Sequence, residues 1–172
     1  MRDGRFPRAD DRLDDGGLRK LAQVRTVLAR SDHILTSPAA AARQTAEAVG
    51  ADAVIDEALR DIDAGAWAGQ ALAELHATAP DALAGWLADP AAGTPGGETM
   101  AEVAARAGDW LGRHAGSDAR IVAVTHPAVI RAAVAAAIGL PLAATFRIDI
   151  APLSVTILSY HRGWRLQALR PA

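Results

Sequence analysis

Apolar positions along the chain alternate between two spacings. Leu18, Leu21, Ala22, Val24 and Leu28 recur at helical intervals and predict a helix from about Gly17 to Arg30. The run His33–Thr36 (HILT) reads as a short buried strand. Ser37-Pro38 then opens a helix, with Ser at the cap and Pro in the first position, and Gly50 stops it. Ala53–Ile55 is a second short strand. Residues 59–69 follow neither period and read as a loop, which Trp67 packs onto the body of the protein. Two short helices, about 70–78 and 81–88, are split by Pro80, and the turn-rich stretch 89–97 follows. A longer helix spans about Glu98 to His114, with Met100, Val103, Ala104, Ala107 and Leu111 on one side.

Ile121–Thr125 (IVAVT) is β-branched, unbroken and apolar, the pattern of a central parallel strand. Pro127 begins the next helix, to about Ile138. RIDI (147–150) reads as a strand, and 153–160 with 164–169 as an antiparallel hairpin turning at His161-Arg162-Gly163. Strands separated by helices predict an α/β sandwich of three layers with a mostly parallel sheet, in a single domain over 1–172.

Composition narrows the classes. The chain has 172 residues, 51% hydrophobic and 22% charged, which is ordinary for one globular domain. There is no cysteine, so disulfides and thiolate chemistry are excluded. A net charge of −2 gives no basic field for nucleic acid or anionic lipid. No apolar run reaches the roughly 20 residues of a membrane span, and MRDGRFPRADDRL lacks the apolar core of a signal peptide. The expectation is a cytoplasmic protein with no membrane or nucleic-acid partner; oligomeric state is not legible. Lys20 is the only lysine, and the arginine and alanine excess reads as genome composition.

In parallel sheets, ligands bind outside the carboxyl ends of the strands. Two segments lie at such ends and also start helices: Thr36-Ser37-Pro38 and Thr125-His126-Pro127. Helix N-termini favour anions, so amides after Pro38 and Pro127 are candidates to face one phosphate-sized site. His126, directly after a buried strand, fits a catalytic imidazole or a structural one bonded to a neighbouring loop. Asp61 and Asp63 in the 59–69 loop fit a general acid or a turn-capping carboxylate. Glu98, after Pro95-Gly96-Gly97, fits a ligand contact or a favourable charge at a helix start.

Taken in order, these segments resemble the histidine phosphatase superfamily, also called phosphoglycerate mutase-like, and within it the small phosphatase branch. Thr36-Ser37-Pro38 with Gln44-Thr45-Ala46 resembles SPLxRAxQTA. Leu59-Arg60-Asp61 with Gly65, Trp67 and Gly69 resembles LxExxxGxWEG. Pro95-Gly96-Gly97-Glu98 resembles PGGES, and Val124-Thr125-His126 with Val129-Ile130-Arg131 resembles VTHGGVIR. Gly4-Arg5-Phe6-Pro7, Leu13 and Gly17 are similar to the stretch after the family's first motif.

The resemblance implies phosphomonoester hydrolysis on a small phosphorylated metabolite, with no metal or organic cofactor. A first histidine, in an RHG motif, attacks phosphorus; arginines and a second histidine stabilise the equatorial oxygens; a Glu or Asp protonates the leaving oxygen. His126 matches the second histidine and Asp61 the acid; Arg5, Ser37, Glu98 and Thr125 are the candidate phosphate and substrate contacts. His126 is accordingly expected to titrate above its usual value, lifted by Asp61.

Two departures stand out. No Arg-His-Gly occurs in the chain, and the motif's arginine falls on Ala41, with Arg43 about 200° further round a helix. The implied first strand, beside the one ending at His126, is therefore missing, which would leave two strand edges unpaired. The expectations are an upstream strand carrying the motif, or a divergent, non-catalytic or repurposed member that binds a small anionic ligand in the same cleft.

Overall fold

A computed structural model describes residues 4–28, 31–48 and 52–171. Helix α1 spans Asp15–Leu28, strand β1 His33–Thr36, α2 Ala40–Ala48 and β2 Val54–Ile55. Single turns of 3-10 helix at Glu57–Leu59 and Gly65–Trp67 shape the loop expected there. Helices α3 (Leu72–Thr78) and α4 (Pro80–Ala88) precede α5 (Met100–His114), β3 (Ile121–Val124), α6 (Pro127–Ile138), α7 (Leu142–Thr145) and the hairpin β4 (Val155–Tyr160) and β5 (Trp164–Arg170). The expected stop of α2 at Gly50 and the end of α1 at Arg30 lie outside the described residues.

Local chemistry explains the main boundaries. Thr99 caps α5: its Oγ accepts from the Glu102 amide, and Glu102 returns the favour to the Thr99 N–H at 2.7 Å. Met100, Val103, Ala107 and Leu111 then recur at helical spacing and are buried. Pro127 occupies the first position of α6, and Gly139, at φ 69°, ends it in the left-handed region. α5 and α6 pack together around Met100, Val103, Ala107, Val129 and Ala132. A second core gathers Phe6, Ala64, Trp67, Leu75 and Leu83, so Trp67 does fasten its loop to the body.

The described strands form an α/β arrangement with a wholly parallel sheet in the order β2-β1-β3, and a separate antiparallel hairpin β4-β5. Helix α2 packs on β1 and β3. Two expectations need correction. RIDI (147–150) is not a strand: amides of Arg147 and Ile148 donate to Ala144 and Thr145 carbonyls, continuing the turn that closes α7. And β3 is not central. It pairs only with β1 among the described strands, and each of its residues stays partly exposed.

The reason for that exposure lies alongside. A cavity of about 1180 Å³ separates β3 from β4 and is lined by residues of both, Val122 and Val124 on one side, Thr156 and Leu158 on the other, with Trp110 and His126. An apolar strand meant for burial on both faces thus presents one edge to a cavity. Ser154 Oγ and Thr156 Oγ1, at the opposite wall, are buried and have no hydrogen-bond partner.

Candidate active site

The parallel register brings the two candidate segments side by side. His33 pairs with Ile121 and Thr36 with Val124, so the chain leaves β1 and β3 at the same level. The Ser37 amide donates to the Val124 carbonyl at 2.9 Å, extending the ladder by one residue. Ser37 and His126 therefore emerge at the same carboxyl edge, and their side chains meet.

Asp61 arrives from the loop after β2. Several contacts hold that loop. Thr125 Oγ1 donates to the Leu59 carbonyl at 2.7 Å, and Trp110 Nε1 donates to the Asp56 carboxylate at 2.9 Å. Asp61 Oδ1 accepts from the Ile62 amide at 2.8 Å, which turns Oδ2 toward His126 Nδ1 at 3.3 Å. Both side chains are mostly buried, 24% and 16% exposed.

Chemistry assigns the protons on this line. A nitrogen facing a carboxylate carries hydrogen, so Nδ1–H points at Asp61, and Nε2 accepts from the Ser37 hydroxyl in the neutral ring. Burial lowers the His126 pKa below its ordinary value of 6.5; the Asp61 charge opposes this and Arg106 adds to it. The expectation of a raised value is overturned: loss of solvation in the packed edge outweighs one carboxylate. The imidazole is neutral near pH 7.

Glu98 stands under the same loop. Its carboxylate takes both Nε and Nη2 of Arg106, at 3.0 and 3.1 Å, a bond from Arg60 at 2.6 Å and the Asp63 amide at 3.0 Å. Burial alone would raise the Glu98 pKa, but Arg106, the Asp63 amide and Arg60 together hold it below the usual 4.5. The close approach depends on glycine. A Cβ on Gly97 would collide with the Asp63 carbonyl, and one on Gly65, at φ 52°, with the Pro95–Gly97 backbone.

The structure thus brings Asp61, His126 and Ser37 together, with Thr125 pinning the loop from β3. It places the other candidates differently. Glu98 is committed to two arginines and an amide. Arg5 sits apart, bridged to Ala71 and donating to the Gly69 carbonyl at 3.0 Å, and does not line the cavity. Asp63 caps its own turn through Gly65 N. The amides after Pro38 are taken: Ala39 donates to Ser37 Oγ, Ala40 to the Ala9 carbonyl and Ala41 to the Asp11 carbonyl. The start of α2 is thereby closed by the 9–11 segment, and the anion expectation there fails. At α6 the His126 side chain makes no cap bond. Ala41 lines the cavity, and exposed Arg43 faces a small second hollow with Thr36 and Glu47. Among the described residues no group of three His, Asp or Glu side chains is arranged to hold a metal ion.

Sequence reasoning missed Arg106. Its signal was modest: an arginine flanked by the buried Val103 and Ala107 on an otherwise apolar helix side, eight residues after Glu98.

Comparison with known proteins adds the ancestry. The model of the histidine phosphatase superfamily (branch 1) matches residues 2–170. The chain belongs to the histidine phosphatase superfamily. A glucosyl-3-phosphoglycerate phosphatase of Mycolicibacterium vanbaalenii is 33% identical over 150 residues, covering 77% of this chain. The match spans 66% of that relative's length. The mycobacterial glucosyl-3-phosphoglycerate phosphatase solved with VO3 is 28% identical, superposes with a TM-score of 0.86 and covers 99% of this chain and 92% of its own. A putative α-ribazole-5′-P phosphatase from Escherichia coli reaches the same TM-score at 20% identity, covering 98% and 88%, and so shares the fold. No helix among the described residues is long and apolar enough to cross a membrane.

Proposed function

We propose that this histidine phosphatase family member takes a small phosphorylated metabolite at the carboxyl edge of β3, as a phosphoric monoester hydrolase by descent. The observation that carries this reading is the Asp61–His126 contact at 3.3 Å beside a cavity that reaches His126. The Asp61 carboxyl, once protonated, can give its proton to a leaving oxygen, and protonation of the His126 ring would favour a phosphate nearby. The mycobacterial relatives named for action on a phosphorylated glucosyl-glycerate support the substrate class.

Within residues 1–172 the pocket carries Ala41 where the family motif has arginine, and no histidine follows an arginine and precedes a glycine. We infer that phosphoryl transfer needs a histidine brought in by an extended segment lying between β3 and β4, where two strand edges face one cavity. Without it, the chain is an anion-binding domain rather than a phosphatase. This second reading is favoured by the lack of any Arg-His-Gly within residues 1–172.

The test is titration of the purified chain with inorganic phosphate, followed through the His126 ring protons. Phosphate in the cleft raises the His126 pKa, and the response is lost in Asp61→Asn if the pair acts as one unit. Absence of any response in the parent chain overturns the proposed site. Robust turnover of an aryl phosphate by the chain alone overturns the inferred need for a further histidine.

A further inference from the structure

We propose that Arg106 is the positioning residue that sets Asp61 against His126. This rests on the reading of Asp61 and His126 as the working pair. Arg106 projects from the second turn of α5 with its side chain 13% exposed. Of five guanidinium N–H groups, Nε and one Nη2 hydrogen go to Glu98, Nη1 goes to the Ala58 carbonyl at 2.9 Å, and Nη2 also reaches the Asp61 carbonyl at 3.2 Å.

These bonds leave the fork little capacity for a ligand, so its work is inward. Ala58 and Asp61 are the two ends of the turn that delivers the Asp61 carboxylate. Their carbonyls are gripped by one planar group, which is itself fixed bidentately by Glu98. Glu98 in turn holds the Asp63 amide on the far side of Asp61. Asp61 is thus bracketed: carbonyls at 58 and 61 on the guanidinium, amide at 63 on the carboxylate. Its side chain then needs only the Ile62 amide to aim Oδ2 at Nδ1. Lysine cannot copy a planar fork with fixed angles.

Arg106 also bears a charge that acts on His126, together with that of Asp61, so charge and geometry must be separated. Arg106→Lys keeps the charge and removes the fork. The experiment measures how far Asp61→Asn lowers the His126 pKa, by ring-proton NMR, in the parent and in the Arg106→Lys background. Expected is a clear fall in the parent and a fall of about half or less in Arg106→Lys, the signature of coupling through a shared network. Glu98→Gln, which loosens the guanidinium without altering its charge, serves as the second background and is expected to weaken the coupling in the same direction. An equal fall in all backgrounds overturns the positioning role alone. No fall in the parent overturns it together with the Asp61–His126 reading. A purely structural Arg106 would change stability and leave this coupling intact.

Discussion

Ser37 and His126 lie 89 residues apart in the chain and meet at 2.8 Å between Oγ and Nε2. With Asp61 on the other ring nitrogen, the order serine, histidine, carboxylate is that of an activated nucleophile. Two facts turn the serine to another use. Ser37 has 0% exposure, and the amides that follow it are all engaged, leaving no donors there for a developing oxyanion. Ser37 instead accepts from the Ala39 amide and donates to His126, tying the end of β1 to the end of β3.

Ser37→Ala tests that direction of donation. A hydroxyl proton given to Nε2 stabilises the neutral ring, so its removal is expected to move the His126 pKa back up. The Ala39 amide loses its acceptor at the same time, and stability should fall by about 1–3 kcal/mol. Ring-proton titration and urea unfolding read the two effects. A downward shift of His126 would mean that Nε2 is the donor and that the tautomer is the reverse.

His126 also makes stability depend on pH. Its pKa is lowered on folding from an ordinary 6.5, so the unfolded chain binds more protons between that value and the folded one. Stability is full above about pH 6.5 and declines as pH falls toward the folded pKa. His114, lowered first by burial and then by Arg113, contributes in the same sense, whereas Glu98 acts only below its ordinary 4.5. Urea unfolding at about pH 5.5 and 7.5 should therefore give a larger free energy at the higher pH. In His126→Gln the difference should shrink without vanishing, because His114 remains. An unchanged difference would place the effect elsewhere.

Much of this site was legible, and the missing parts have physical causes. β1, β3 and the start of α6 followed from apolar runs that end in Ser-Pro and His-Pro, which fix where a strand stops whatever surrounds it. The meeting of His126 with Asp61 followed from motif order. The rank of β3 in the sheet did not: apolarity reports that a strand wants burial, and says nothing of which neighbours supply it. The RIDI segment alternates like a strand, yet the turn closing α7 claims its first two amides. Glu98 was read as a ligand contact or as a favourable charge near a helix start. Its real partners, Arg106 along α5 and Arg60 in a loop 38 residues upstream, are set by tertiary packing that no local window contains. The sign of the His126 shift was missed for the same reason, since burial is a property of the assembled edge.

Ala41 gives the most direct test of the pocket. It lines the cavity from the first turns of α2, and its backbone amide already donates to Asp11, so a new side chain alters the cavity and leaves the turn intact. The register of the helix decides the position: Arg43, two residues on, lines a different hollow and cannot substitute. Ala41→Arg introduces a guanidinium near the edge where His126 stands, able to give a phosphate a bidentate, charge-assisted pair of bonds. Such bonds contribute about 1.5–3 kcal/mol, which is a tightening of inorganic phosphate binding by roughly tenfold or more. Calorimetry on the parent and the variant measures it. Added positive charge beside the ring should also push the His126 pKa further down in the phosphate-free state, and bound phosphate should reverse that. The same variant is expected to gain no turnover of aryl phosphates, because it adds charge stabilisation and no attacking group. Phosphate affinity that is unchanged by Ala41→Arg would show that the anion lies elsewhere than at the carboxyl edge of β3.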